Sequence, residues 1–174
     1  MFKLFGWKTE GNFSPDIKKY VIAVAPHTSN WDFVVGVAAR SIFRIQKARY
    51  LGKSSLFKPG IGWFFRLLGG YPVDRSSSND MVQQVTKIFN DHETFILAMA
   101  PEGTRKKVEK LRTGFYYIAK SANVPIIPVG FDFGGKRVVV GEPLYPTGNI
   151  ENDMEKMLEF YRTIKGKNPE LGIS

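Results

Sequence analysis

Residues 20–25 of the chain read YVIAVA, an unbroken apolar run that is rich in β-branched side chains. A short run of this kind is typical of a strand that is buried on both faces, as in a parallel sheet. Pro26 follows directly and has no backbone N–H with which to continue a sheet. The sequence therefore predicts a buried parallel strand whose carboxyl end lies at Pro26.

Working outward from this strand, further segments alternate between strand and helix patterns. Strands are predicted at residues 48–52, 71–73, 94–100, 125–131 and 137–140. Helices are predicted at residues 29–45, 78–90, 113–122 and 151–164, and shorter helical pieces within residues 54–68, where Pro59-Gly60 interrupts the pattern. This order predicts an α/β fold with a largely parallel central sheet flanked by helices. The length of 174 residues, without repeats or a dividing linker, predicts a single domain over residues 1–174.

Composition narrows the possible chemistry. The chain has no cysteine, which excludes disulfides, thiolate nucleophiles and cysteine-ligated zinc. Only two histidines are present, His27 and His92, so a multi-histidine metal site is excluded and we expect no metal. The formal charge of +9 favours a phosphate-bearing partner, namely nucleic acid, an anionic membrane or a phosphorylated small molecule.

Three segments with polar side chains follow predicted strands, at residues 26–32, 74–75 and 101–105. Sites in parallel sheets form at the carboxyl ends of strands, so these segments are expected to open on one edge of the sheet. In the first, a turn between His27 and Asp32 lets the carboxylate fold back to the imidazole, fix its tautomer and make it a general base. Taken alone, such an H-x4-D pattern is more often a helix start with an acid in its first turn.

Three more blocks accompany the His–Asp pair: residues 70–75 (GYPVDR), 101–105 (PEGTR) and 124–129 (VPIIPV). In this order the four blocks resemble those of the glycerolipid acyltransferase family, which includes the lysophosphatidic acid and lysophospholipid acyltransferases. The resemblance extends over about residues 20–141. The PEGTR block, placed after an apolar strand, is its most specific part.

The resemblance implies a glycerol-phosphate acyltransferase-like α/β fold and an O-acyltransferase of phospholipid biosynthesis or remodelling. It implies acyl-CoA or acyl carrier protein as donor, a lysophospholipid or glycerol phosphate as acceptor, and no tightly bound cofactor. His27 and Asp32 match the catalytic pair. The substrate-binding positions, held to bind the acceptor's phosphate, are matched by Arg75, Glu102, Gly103, Thr104 and Arg105.

The residue chemistry agrees with that implication. The chain has neither cysteine nor a G-x-S-x-G nucleophile elbow, so the acceptor hydroxyl must attack the thioester directly with the help of a base. His27 is the expected base and Asp32 orients it. Backbone amides near the start of the following helix are candidate donors to the oxyanion. Arg75 and Arg105 offer paired donors that suit a phosphate, and Glu102 is expected to hold an arginine or contact the acceptor.

Two other functions remain as alternatives. A basic nucleic-acid-binding module would agree with the charge, but the chain has no helix-turn-helix, RNA-recognition or zinc pattern, so we expect no nucleic-acid partner. A non-catalytic lipid-binding protein of the same fold is the second alternative, and the intact His–Asp pair argues against it.

The final expectation concerns location. The N-terminal residues lack the apolar core and cleavage site of a secretory signal, and no stretch reaches the ~18 apolar residues of a spanning helix. We expect a cytoplasmic protein, with peripheral attachment to the inner face of an anionic membrane left open. Residues 1–7 and 61–68 interleave aromatic and basic side chains as interfacial segments do, although 61–68 suits core packing or an acyl pocket equally well.

Overall fold

The computed structural model describes residues 6–73, 78–104, 107–108 and 110–172. Strands within these ranges are β1 (Lys8–Glu10), β2 (Lys19–Val24), β3 (Ala48–Lys53), β4 (Gly70–Val73), β5 (Phe95–Met99), β6 (Ile126–Asp132) and β7 (Arg137–Val140). The helices are α1 (Trp31–Ile42), α2 (Gly62–Leu67), α3 (Ser78–Asp91), α4 (Gly114–Ala122) and α5 (Ile150–Arg162), with short 3-10 helices at Ser54–Phe57 and Pro169–Leu171. The predicted elements are present, and their ends differ by at most three residues from the prediction.

The strands form one sheet in the order β1-β7-β6-β2-β5-β3-β4. All neighbouring pairs are parallel except β6 and β7, so the predicted α/β fold with a largely parallel sheet is confirmed. Strand β2 lies between β5 and β6, with Ala23 opposite both Met99 and Pro128. The loops that follow β2 and β5 therefore leave the sheet side by side.

Strand β1 was not predicted. Its three residues, Lys-Thr-Glu, are all exposed and carry no apolar alternation from which a strand could be inferred. The strand pairs in parallel with β7 at the edge of the sheet. Arg137 of β7 fixes this edge by forming ion pairs with Glu10 at 2.8 Å and Asp132 at 2.7 Å.

The two faces of the sheet are covered unequally. On one face, β2 and β5 pack with buried side chains from three helices, α3, α4 and α5, among them Phe89, Phe115 and Met157. On the other face, the buried helical residues are Val35 and Ala39, both from α1. Because a single helix supplies the buried helical side chains of this second cluster, the space between α1 and the sheet is less completely filled.

Helix α1 ends three residues earlier than predicted. Arg44 adopts the left-handed conformation with φ of 55°, and the Ile45 amide donates to the Arg40 carbonyl at 3.0 Å. This arrangement closes a helix by satisfying its last carbonyl groups, so the apolar pattern through Ile45 belongs partly to the turn.

No helix in the described ranges has both the length and the apolar character needed to cross a bilayer.

Helix α5 and the residues after it hold the carboxyl end of β2 in place. The buried Tyr161 hydroxyl donates to the Ala23 carbonyl at 2.7 Å, near the point where β2 ends. At the other end of α5, the buried Asp153 carboxylate accepts from the Tyr116 hydroxyl at 2.9 Å and from the Thr147 amide at 2.8 Å. The first contact holds the end of β2 against α5, and the Asp153 contacts hold α5 against α4 and the segment before α5.

Candidate active site

The loop between β2 and α1 brings His27 and Asp32 together. His27 Nδ1 lies 3.0 Å from Asp32 Oδ2, the Asp32 side chain is buried, and the imidazole is 21% exposed. The contact exists because Asp32 stands in the first turn of α1 while His27 follows the strand, so the chain reverses between them. Since Nδ1 faces the carboxylate, Nε2 is the ring nitrogen left to exchange a proton with a substrate.

Local hydrogen bonds fix this turn. Asp32 Oδ2 also accepts from the Ser29 amide at 2.9 Å, and the Trp31 amide donates to Ser29 Oγ at 3.2 Å. The Asp32 amide donates to the Ser29 carbonyl at 3.3 Å. The amides of Ser29, Trp31 and Asp32 are therefore engaged within the turn, so the expectation of oxyanion donors at the helix start does not apply to these three.

A second carboxylate, that of Glu102, contacts the backbone of His27. Glu102 follows β5, its side chain is buried at 2% exposure, and its Oε2 accepts the backbone amide of His27 at 2.6 Å. Burial is the main cause that raises the pKa of the Glu102 carboxyl, and the nearby Asp32 charge raises it further. The hydrogen bond from the His27 amide and the charge of His27 act in the opposite direction. The structure adds a contact from Glu102 to the backbone of the base, and the contact to an arginine or to the acceptor stays a prediction.

The rest of the PEGTR block forms a tight turn. Gly103 has φ of +65°, and its amide donates to the Ala100 carbonyl at 3.0 Å. A Cβ at Gly103 would lie 2.7 Å from Arg112 Nε, so glycine is required both by conformation and by the close approach of this arginine. Thr104 follows, half-buried. Arg112 is thus placed at the turn, next to Gly103.

Two of the predicted phosphate ligands, Arg75 and Arg105, lie outside the described residues. Of the predicted site residues, the structure brings together His27, Asp32 and Glu102, with Gly103 in the adjacent turn. His92 is exposed, with Nδ1 2.8 Å from the Ile88 carbonyl oxygen at the end of α3.

An apolar cavity of about 230 Å³ adjoins the His–Asp pair. It extends between α1 and the sheet, where the single covering helix leaves space, and its wall includes both His27 and Asp32. Most of the remaining wall is aliphatic or aromatic, including Val37, Phe43 and Phe131. Gly36 contributes backbone only, and a Cβ there would meet the Phe131 ring at 3.5 Å. The arrangement places a proton acceptor in the wall of an apolar cavity.

The C-terminal segment contacts the site through Thr28, next to the base. The Asn168 amide donates to Thr28 Oγ1 at 3.1 Å, and Asn168 Nδ2 donates to the Thr28 carbonyl at 2.8 Å. Gly166 is buried here, and a Cβ on it would lie 2.9 Å from Thr28 Oγ1. Sequence reasoning missed these residues because 140 positions separate the partners and no local pattern marks Asn168.

Nothing in this arrangement resembles a metal centre. Among the side chains that the structure describes, no three of His, Asp or Glu come together as a metal site would require. The oriented imidazole beside the apolar cavity can accept and return a proton.

Comparison with known proteins gives a consistent result. The model of the family described as Acyltransferase matches residues 8–132. The chain is 32% identical over 133 residues to the 1-acyl-sn-glycerol-3-phosphate acyltransferase of Escherichia coli K12, covering 72% of this chain and 53% of the relative. It is 31% identical over 120 residues to the protein of that name from Saccharomyces cerevisiae, covering 64% of this chain and 38% of the relative.

A solved structure is also similar. The crystal structure of the 1-acyl-sn-glycerophosphate acyltransferase PlsC from Thermotoga maritima matches with a TM-score of 0.58 at 23% identity, over 91% of this chain and 70% of that one. This likeness shows a shared fold. The chain spans about half the length, or less, of the curated relatives named above. A nucleic-acid-binding module or a non-catalytic lipid-binding protein is not favoured by these comparisons.

The buried Glu102 carboxyl generates a test by pH. A raised folded-state pKa means that Glu102 contributes stability that is fully present below its ordinary pKa of 4.5 and is lost as pH rises through the folded-state value. The Glu102→Gln variant keeps an oxygen acceptor for the His27 amide and removes the titration. We expect the free energy of unfolding of Glu102→Gln, relative to that of the unsubstituted protein, to increase between pH about 4.5 and about 8. Urea unfolding at each pH measures this difference.

The matched control is Glu142→Gln, at an exposed carboxyl. Its stability difference from the unsubstituted protein should stay flat over the same pH series. A Glu102→Gln difference as flat as that of Glu142→Gln would contradict the assignment of a raised pKa to Glu102.

Proposed function

The chain belongs to the acyltransferase family, and from that premise we propose that it transfers a fatty acyl group from an acyl thioester to a hydroxyl of a lysophospholipid or glycerol phosphate. The observation that carries this proposal is the His27–Asp32 pair in the wall of an apolar cavity. The pair supplies a base and the cavity supplies a place for a hydrocarbon chain. The acyl donor is acyl-CoA or acyl carrier protein.

In the proposed reaction, His27 Nε2 accepts the proton of the acceptor hydroxyl as its oxygen attacks the thioester carbonyl carbon. A carbon–oxygen bond forms, the tetrahedral intermediate collapses, and the carbon–sulfur bond breaks. The thiolate leaves and takes up the proton that the imidazolium gives back, directly or through solvent, so His27 returns to its neutral form. No covalent acyl-enzyme is required, which agrees with the absence of cysteine from the chain.

Asp32 has two tasks in this scheme. Its carboxylate holds Nδ1 at 3.0 Å, which keeps the proton on that nitrogen and leaves Nε2 basic. When Nε2 takes a proton, the buried negative charge stabilises the imidazolium. Ser29 and the first turn of α1 keep the carboxylate in place through its second contact at 2.9 Å.

We assign the acyl chain to the cavity beneath α1. Its wall offers few polar groups, and burying methylene groups there gains about 0.8 kcal/mol each. The thioester carbonyl would then lie at the cavity mouth, next to His27. The absence of a side chain at Gly36 keeps the channel open opposite Phe131.

We assign the acceptor's phosphate to the PEGTR turn together with Arg75 and Arg105. The names of the relatives, which specify a glycerol 3-phosphate acceptor, support this assignment. Arg105 follows Glu102 by three positions, and Arg75 follows β4. Arg112 lies against Gly103 and adds a third positive charge. Glu102 then acts through the backbone of His27, and Gly103 and Thr104 shape the turn.

Replacing His27 tests the base. We expect His27→Ala to lower turnover by about 10²–10⁴ with the fold retained, because no other base lies next to it in the motif. Asp32→Asn should be severely impaired as well. Turnover is measured as thiol release with product mass, screening acyl-CoA donors against lysophospholipids and glycerol phosphate, and the fold by circular dichroism.

The control is His92→Ala, which removes the exposed histidine and should leave turnover unchanged. Near-normal thiol release by folded His27→Ala would overturn the mechanism.

The proposed role of the arginines in binding the acceptor's phosphate is tested by measuring the KM for the acceptor. A charge-assisted hydrogen bond contributes ~1.5–3 kcal/mol, so Arg75→Ala and Arg105→Ala should each raise the acceptor KM about tenfold or more. The KM for the thioester donor should stay close to normal. Arg162→Ala, at an exposed arginine of α5, is the control. Loss of donor binding with an unchanged acceptor KM would assign these arginines to the donor instead.

The cavity is tested by filling it. We expect Gly36→Leu to lower kcat/KM for long-chain acyl thioesters by about tenfold or more while short-chain thioesters react normally, because the new side chain occupies the channel. Val34→Leu, on the exposed side of the same helix, is the control and should leave chain-length preference unchanged. An equal loss for short and long chains would show that the substitution disturbs the site rather than the acyl channel.

A further inference from the structure

Helix α1 is apolar on the face that it turns to solvent. Trp31 is 59% exposed, and Val34 and Ile42 are exposed as well, at positions that recur on one side of a helix. A helix that packs against a sheet on one side usually presents polar residues on the other. The inner side of α1 already buries Val35 and Ala39, so its outer stripe serves a contact beyond the core.

The connection from β3 to β4 presents a second apolar area. Leu56 and Ile61 are exposed, and within α2 Trp63 is 64%, Leu67 68% and Phe64 47% exposed. The sequence allowed three interpretations for residues 61–68, namely interfacial docking, core packing and an acyl pocket, and core packing does not describe these side chains. Leu68, at the end of the segment, is the one that lines the cavity.

These two areas adjoin. The Phe33 ring lies 6.0 Å from the Tyr50 ring, edge to face, and the Tyr50 hydroxyl lies 3.5 Å from the Phe65 carbonyl. Arg40 of α1 donates to the Leu68 carbonyl at 3.1 Å. We name the combined area the docking surface, which consists of Trp31, Phe33, Val34, Ile42, Leu56, Ile61, Trp63, Phe64 and Leu67.

The charge around the docking surface has one sign. Residues 33–73 contain seven lysines and arginines and no acidic residue, so all sixteen acidic residues of the chain lie elsewhere. Lys53, Lys58 and Arg66 are exposed among the apolar residues of the β3–β4 connection. The surface therefore combines exposed aromatic and aliphatic side chains with a segment of the chain whose charged residues are all basic.

We infer that the docking surface attaches the protein to an anionic lipid bilayer. Aromatic side chains enter the interfacial region of a bilayer and basic side chains contact anionic headgroups, and both are present here together. An acidic carrier protein would also be attracted by the charge, but it would not by itself account for so many exposed apolar side chains. The bilayer is the occupant that uses both properties.

The inference deepens the proposed function, on which its consequence for substrate access rests. Trp31 of the docking surface lies one residue before Asp32, and Tyr50 and Leu68, which join the two areas, line the cavity. An acceptor or acyl chain leaving the bilayer would therefore meet the cavity and His27 without crossing bulk water. The catalytic pair lies at the membrane-facing side of the protein.

Sedimentation with vesicles tests the attachment directly, without any substrate. The full chain should bind phosphatidylcholine vesicles that contain phosphatidylglycerol, bind weakly to phosphatidylcholine alone, and be released as salt increases. A Trp63→Ser/Phe64→Ser/Leu67→Ser variant should bind the anionic vesicles at least about tenfold more weakly. Lys53→Ser/Lys58→Ser should also lose about tenfold or more, and only in the anionic lipid.

Matched controls come from the opposite face of the sheet. Tyr117→Ser/Tyr145→Ser removes two exposed aromatics, and Lys120→Ser/Lys156→Ser removes two exposed lysines, without touching the docking surface. Both should bind vesicles normally. Failure of the unsubstituted protein to sediment with any vesicle, or equal losses in the controls, would overturn the inference. So would binding of acyl carrier protein that is abolished by the docking-surface variants while vesicle binding persists.

Activity on dispersed substrates separates this inference from the proposed function. With a short-chain acyl-CoA and glycerol phosphate, both free in solution, the docking-surface variants should release thiol at the normal rate. An inactive unsubstituted protein that still sediments would refute the proposed function and leave the docking surface intact. An active protein that never sediments would refute the docking surface and leave the proposed function intact.

Discussion

The site depends on one buried hydrogen bond, from the backbone amide of His27 to the carboxylate of Glu102 at 2.6 Å. It joins the ends of β2 and β5, which are neighbours only because the sheet is parallel at that point. A buried carboxylate needs partners, and the backbone of the base supplies one of them. The Glu102 carboxyl also lies close enough to His27 and Asp32 to interact with them electrostatically, so one group both holds the backbone of the base and shapes its surroundings.

Unequal coverage of the sheet explains how a small fold leaves room for an apolar cavity. Three helices contribute to the core on one face, whereas α1 alone supplies the buried helical side chains of the cluster on the other. The well-packed face carries the stability and anchors β2 through Tyr161. The sparsely packed face is then free to hold a channel that begins at His27. Stability and binding are divided between the two sides of one sheet.

Most of the fold could be predicted because its strands are apolar runs and its helices have clear periodicity. Strand β1 could not, since three exposed polar residues pair only because β7 offers an open edge. The His–Asp contact could be predicted from five-residue spacing across a turn. The inward orientation of Glu102 and the Asn168–Thr28 contacts could not, because both are set by segments 75 and 140 positions apart that packing alone brings together.

Helix α1 meets several requirements that ordinarily fall on separate elements. Its first turn supplies Asp32, its inner side lines the cavity, and its outer side is apolar and exposed. A helix with polar residues outside would pack equally well on the sheet, so packing does not account for Trp31 and Val34 facing solvent. The apolar outer stripe is explained if the helix that orients the base also faces the phase in which an amphiphilic substrate resides. Chemistry and attachment are then coupled by geometry, since the distance from the outer stripe to the catalytic pair is no more than the width of one helix, about 10 Å.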